Sequence, residues 1–207
     1  MNAPQPQHQE QDQEPGPDQD PRVHSLDARS LRGLAHPLRM QLLDALRFGG
    51  PATASRLAEK LGESSGATSY HLRQLAAHGF IEDAPEQGKG RERWWKAVHR
   101  GMRFDDALLT DANPEVRGAA DLYLHQIATT QTRDLSTWLG NRQSRPEWNS
   151  AWDMSSETLR LTPELTQELV GKMHALVETY RDRALDEDSA DAAQVRLHTR
   201  AFPLVTE

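Results

Sequence analysis

The chain has 207 residues, enough for one medium domain or two small ones, with 24 Lys+Arg against 31 Asp+Glu and a formal net charge of -7. It has no cysteine, which excludes disulfides, thiolate metal sites and cysteine nucleophiles together. No apolar run is long enough to span a bilayer, and the start lacks the charged-then-apolar order of a signal peptide, so a cytoplasmic, nucleoid-associated protein without membrane contact is expected.

Residues 1–22 are mostly Gln, Pro, Asp and Glu, with five acids and no base before Arg22. Such a segment cannot bury enough apolar surface to offset its ordering entropy, and is expected to be a disordered acidic tail. A first domain is expected over residues 23–103. Residues 25–35 predict a short helix bearing Leu26, Leu31 and Leu34. His36-Pro37 opens a second, since proline suits the first helical position, and Leu38, Leu42, Leu43 and Leu46 form its stripe. Gly49-Gly50-Pro51 ends it. Thr53 can cap a third helix over residues 54–61, stopped by Gly62. Ser64 or Ser65 can cap a fourth, running to about His78 and closed by Gly79. Residues 80–84 then read as a strand, 85–90 as a turn, and 92–98 as an aromatic-rich partner strand.

A second region is expected over residues 113–207. Pro114 opens a helix to about Leu139 with a stripe at Val116, Ala120, Leu124, Ile127, Leu135 and Trp138. Residues 158–161 predict a short strand, and residues 163–183 a helix with Leu165, Leu169, Met173, Leu176 and Tyr180 on one side. Residues 185–193 read as an acidic loop, and the alternation of Val195, Leu197, Thr199 and Ala201 as a last half-buried strand. The fold class that follows is mostly α with a small β-hairpin wing, followed by an α+β C-terminal extension.

Helix, helix, short turn, helix and hairpin is the order of a winged helix-turn-helix. Its fourth helix has the chemistry for a major groove: Thr68, Leu72 and Leu75 make a buried stripe, and Ser65, Ser69, Tyr70 and Arg73 lie on the other side. The hairpin tip, Gly88-Lys89-Gly90-Arg91-Glu92-Arg93, places three bases where a wing reaches backbone or minor groove. Trp94 and Trp95 point to opposite faces, one of them into the core. The charge is distributed accordingly. Residues 22–103 hold 14 Lys+Arg against 8 Asp+Glu, and the rest of the chain holds 10 against 23. Phosphates respond to the local field, so the basic block marks the expected footprint on double-stranded DNA. There is no dinucleotide fingerprint, phosphate-binding glycine loop or nucleophile elbow, so neither an enzyme nor a cofactor is expected.

The segments Leu34-Ala35-His36-Pro37-Leu38-Arg39, Leu57-Ala58-Glu59-Lys60-Leu61-Gly62, Ala67-Thr68-Ser69-Tyr70-His71-Leu72-Arg73-Gln74-Leu75 and Gly79-Phe80-Ile81 resemble the ArsR/SmtB-type repressors. The resemblance covers about residues 25–102. It implies that Ser64, Ser65, Thr68, Ser69, Tyr70 and Arg73 occupy the DNA-reading helix, and that the protein is a homodimeric repressor on an operator with two-fold character. Lys89, Arg91 and Arg93 complete the expected DNA contacts, and Val116, Leu124, Ile127 and Leu135 the expected dimer interface. Metal sensors of that family often carry a Cys-x-Cys pair where this chain has Thr53 and Ser55, so the soft-metal site is absent. His125 lacks a histidine partner three or four residues away, and His36, His71 and His78 sit among apolar or capping positions, so no metal is expected. Two other readings compete. One is a regulator whose aromatic C-terminal pocket, built from Trp138, Trp148 or Trp152, takes a small-molecule effector. The other is a protein-interaction module that kept the winged fold without DNA binding.

Overall fold

The computed structural model describes residues 23–87, 92–181, 183–184, 189 and 192–205. The expected acidic tail and the Lys89 and Arg91 of the hairpin tip therefore lie outside the described residues, as does most of the acidic loop. The chain divides into two compact units, residues 1–130 and 131–207. No helix among the described residues is long and apolar enough to cross a membrane.

In the first unit the element order is β1 (Val23–Ser25), α1 (Ala28–Leu34), α2 (Pro37–Gly49), β2 (Ala52–Thr53), α3 (Ala54–Leu61), α4 (Ser65–Ala77), β3 (Ile81–Asp83), β4 (Trp94–Ala97) and β5 (Gly101–Arg103). Each of its helices starts on a side-chain cap that satisfies an otherwise orphan N–H. Asp27 and Ser30 form a reciprocal capping box, in which the Ser30 N–H donates to Asp27 Oδ1 at 2.7 Å and the Asp27 N–H donates to Ser30 Oγ at 2.9 Å. This box starts α1 at Ala28, three residues later than the predicted helix. The Leu38 N–H donates to His36 Nδ1 at 3.2 Å, the Arg56 N–H to Thr53 Oγ1 at 3.4 Å and the Ala67 N–H to Ser64 Oγ at 3.2 Å. Gly62 and Gly79, with φ of 68° and 75°, turn the chain after α3 and α4 in the left-handed region that glycine adopts without a Cβ penalty.

These helices enclose one core. Leu31, Leu34, Leu42, Leu57, Leu72, Leu75, Phe80 and Ile81 are almost completely buried, and α4 packs against α1, α2 and α3. The sheet has the antiparallel order β2-β4-β3, with Trp95 of β4 opposite both Ala52 and Asp83. Trp95 is buried and Trp94 half-buried, as alternation along a strand requires. Two pairings were not expected from the sequence. β2 adds two residues to the sheet edge, and β1 pairs in parallel with β5.

The helix expected from Pro114 is α5 (Pro114–Asn141), and its residues are shared between the two units. Val116, Ala120 and Tyr123 are buried in the first unit's core, where Tyr123 stacks on Phe104 with ring centroids 5.7 Å apart. Burial pushes the Tyr123 hydroxyl up to about 12. In the second unit α6 (Pro163–Arg181) matches the predicted helix but has no buried residue. The two strands expected there are corrected. Residues 158–161 and 195–201 form no strand and join no sheet among the described residues, because alternation specifies the chemistry of two faces and supplies no neighbouring strand.

Gly33 of α1 lies against the His78 ring, and a Cβ built there would stand 2.4 Å from His78 Cγ. In an open helix, alanine in place of glycine gains up to about 1 kcal/mol. Here the overlap outweighs that gain, and Gly33→Ala is expected to destabilise the protein by about 1–3 kcal/mol. Urea denaturation measures the effect, and a raised midpoint would contradict the packing.

Candidate nucleic-acid interface

The buried side of α4 is set by Thr68, Leu72 and Leu75, each at 0% exposure. With 3.6 residues per turn, Tyr70 and Arg73 must then point away from the core. Tyr70 is 53% exposed, Ser64, Ser65 and Arg73 are exposed, and Ser69 is half-buried. Gly66 lies on the same outer face with open space at its Cβ position, so the first turn of α4 presents bare backbone beside the Ser64 cap. Thr68 is a correction to the DNA-reading set. It was grouped there by resemblance, but its side chain is enclosed by the core and cannot reach a base.

The head of α3, the outer side of α4 and the base of the hairpin meet around an open groove of about 250 Å³, lined by Thr53, Ser55, Ser69, Arg73, Glu92 and Arg93 among others. Ser55 Oγ donates to Glu92 Oε1 at 3.3 Å and links α3 to the wing. A second link runs from Arg56, whose guanidinium carbon lies 4.7 Å from the Trp94 ring centroid. Neither contact was anticipated. Each joins residues almost forty positions apart, which helical periodicity does not register.

Arg93 is held at the base of the wing. Its Nε and Nη2 donate to the two carboxylate oxygens of Asp83 at 2.5 and 2.6 Å, and its guanidinium lies 4.0 Å from the Trp95 ring centroid. The hydrogen bond from Arg93 holds the Asp83 carboxyl below its ordinary value, and the same bond raises the Arg93 guanidinium. Arg93 thus stiffens the hairpin and has part of its charge offset. Lys96 is similarly placed between Glu82 at 3.5 Å and Glu86 at 3.3 Å.

Behind the exposed face, the rings of His36 and His71 lie 4.3 Å apart, and Tyr70 meets His71 edge-on. His36 caps α2 through an unprotonated Nδ1, and His71 belongs to α4. Arg39 donates to the Arg32 carbonyl at 3.3 Å, and its charge acts on both histidines. Burial lowers both imidazoles first. Arg39 lowers both further, His36 also lowers His71, and Glu63 opposes the shift in each case. The folded state therefore binds protons less readily than the unfolded chain. The resulting stability is complete above the ordinary value of 6.5 and is lost as pH falls below it, toward the lowered folded-state values. Thermal melting is expected to show this fall. His36→Asn, which keeps a capping acceptor without titrating there, is expected to flatten it, and an unchanged pH slope would contradict the role of His36.

The three C-terminal tryptophans do not all meet. Trp138 and Trp152 lie edge-to-face with centroids 6.5 Å apart, and Trp148 is half-buried in the turn after α5.

Residues 34–84, from the end of α1 to just beyond β3, match the family model described as a helix-turn-helix domain. No curated protein matches the chain. Among solved structures, the chain is similar to reduced HlyU from Vibrio cholerae at 20% identity, covering 45% of this chain and 78% of that one, with a TM-score of 0.29. It is also similar to the homodimeric winged helix-turn-helix DNA-binding domain of Mb0332 from Mycobacterium bovis, described as a possible ArsR-family transcriptional regulator. The identity there is 20%, covering 52% and 81% of the two chains, with a TM-score of 0.32. A third similarity is to apo ZitR from Lactococcus lactis, at 19% identity, covering 74% and 86%, with a TM-score of 0.28.

Proposed function

We propose that this protein is a sequence-specific regulator of transcription of the ArsR type, which binds double-stranded DNA through α4 and acts as a homodimeric repressor. The observation that carries this reading is the outer side of α4. A capped helix start, bare backbone at Gly66, and the side chains of Tyr70 and Arg73 project together beside a groove that continues to the wing. A helix N-terminus and its free N–H groups suit a phosphate, and an arginine about two turns further along suits a guanine edge or a second phosphate. Ser65 and Ser69 add short hydroxyl groups that read either base type. Lys89 and Arg91 of the hairpin are assigned to the DNA backbone.

Operator affinity tests the reading. Arg73→Ala leaves the core untouched and is expected to weaken specific binding by about 1–3 kcal/mol, a loss of roughly 5- to 150-fold, if the contact is a bidentate base contact. A folded variant with unchanged affinity on a selected operator would remove Arg73 from the interface.

The homodimer is proposed through the part of α5 that its own core leaves half-covered, at Leu124, Ile127 and Leu135. Val116 shares their stripe but is already buried within its own chain. Two-fold pairing doubles the base contacts of a small winged module at a fixed spacing. Replacing Leu124 and Ile127 together by Asp would place unpaired carboxylates in this contact at high desolvation cost, and is expected to yield monomers with weakened operator binding. Sedimentation of the wild-type chain checks the premise, since a monomer at micromolar concentration on operator DNA would overturn the α5 contact.

A further inference from the structure

Arg39 stands in the first turn of α2, two residues after Pro37, and that turn contains no acid. The N-terminus of a helix carries partial positive charge, so a cation there opposes the helix dipole. Burial adds to the cost. Arg39 is half-buried, and its Nε is enclosed without a hydrogen-bond partner. The one hydrogen bond of its guanidinium among the described residues runs from Nη2 to the Arg32 carbonyl, at 3.3 Å. Burial holds the guanidinium below its ordinary value, with Tyr70 acting the other way.

Nothing nearby offsets this charge. The neighbours of Arg39 are the stacked His36 and His71, and His71 Nδ1 is likewise enclosed without a partner. Glu63 acts on both histidines, yet no carboxylate pairs with Arg39 among the described residues. Other arginines of the unit are provided for: Arg47 meets Asp44, Arg93 meets Asp83 and Arg56 lies over Trp94. A partly buried cation without a counter-charge is a cost to folding, and proteins keep such costs where function needs them. The position of Arg39 indicates which function. Tyr70, which acts on it, is exposed on the outer side of α4 and meets the His71 ring edge-on at 5.1 Å. Arg39 therefore borders the face that carries Tyr70 and Arg73.

We propose that Arg39 is a DNA-backbone contact, its guanidinium pairing with a phosphate of the duplex beside Tyr70, so that the footprint extends from α4 onto the first turn of α2. The inference rests on the DNA reading of α4 and adds a residue to it. A phosphate supplies what the protein leaves out. It pairs with the guanidinium, whose planar fork suits two phosphate oxygens, and it suits the positive end of α2. A backbone contact fits better than a base contact, because Arg39 lies on the helix behind α4 and not on the helix that enters the groove. Its contribution is then the same on every sequence.

The salt dependence of binding to a random-sequence duplex tests this, with the full-length wild type, Arg39→Gln and Arg39→Lys. Each phosphate contact adds about 0.9 to the slope of log affinity against log salt. Arg39→Gln is expected to bind several-fold more weakly at low salt, with a slope shallower by about 0.9. Arg39→Lys keeps the charge and is expected to keep the wild-type slope. Arg39→Met, which retains the stem without the charge, gives the same reading as Arg39→Gln should the amide disturb α2, and circular dichroism confirms that each variant folds. An uncharged variant that folds and keeps the wild-type slope overturns the proposal, even if it binds more weakly, and makes Arg39 a residue of the fold alone. The two levels of inference separate in the wild type. A wild-type chain that binds no duplex removes the DNA reading together with Arg39, whereas one that binds with the same slope as Arg39→Gln removes Arg39 only.

Discussion

The rotational setting of α4 is the constraint on which the rest depends. Thr68, Leu72 and Leu75 fall within one narrow arc of the helix, and all three are excluded from solvent. Burying side chains of this size contributes about 1.5–3 kcal/mol each for the leucines, so turning α4 by even one residue would forfeit several kcal/mol. The outer face follows from this without further contacts. Tyr70 and Arg73 point outward because their inner neighbours cannot. The caps act in the same direction: Ser64 fixes where α4 begins and Gly79 where the chain leaves it, so the helix can neither slide nor extend.

The hairpin is fixed by a different means. A two-stranded ribbon is marginal in water, and this one gains a third strand from β2, a buried Trp95 and the stacked, doubly hydrogen-bonded Arg93. Exposed ion pairs of this kind contribute little to stability. Their consequence is geometric: Asp83 on β3 holds Arg93 just before β4, so the base of the wing is stiff. Arg56 against Trp94 and Ser55 against Glu92 then tie that base to α3. The groove between α4 and the hairpin is accordingly walled by elements that touch one another through these side chains.

How much of this was legible in the sequence depended on whether a feature was local. The helices of the first unit carry their own start and stop signals in Pro37, Thr53, Ser64, Gly62 and Gly79, and these lie where the structure places the ends. β1, β2 and β5 have two or three residues each, too few for any period, and exist only because a distant partner meets them. Tyr123 was missed because it borders the α5 stripe and is buried through Phe104, a contact across nineteen positions. In the candidate site the outer residues of α4 followed from periodicity, whereas Thr68 was misplaced where family likeness overrode that same periodicity. The His36–His71 pair and the Arg93–Asp83 clamp were invisible for the reason that hid the short strands. The tail's alternation was read as a half-buried strand, but no partner strand meets it among the described residues, and Val195 and Leu197 are exposed.

The charge of the chain follows from the same division of labour. At physiological ionic strength, fields from exposed charges fade over about 8 Å, so the local balance of 14 Lys+Arg against 8 Asp+Glu over residues 22–103 bears on a contact more than the net charge of -7 does. On the proposed reading, attraction to duplex DNA would come from the local surplus of Lys and Arg, whatever the sign of the net charge. Glu92 lines the same groove as Arg73, and Asp83 pairs with Arg93, so an acid offsets part of the positive charge there, which on the proposed reading would lower affinity for phosphate. A winged module with few unpaired cations binds non-specific DNA weakly, and such a module gains the most from being present twice on one operator.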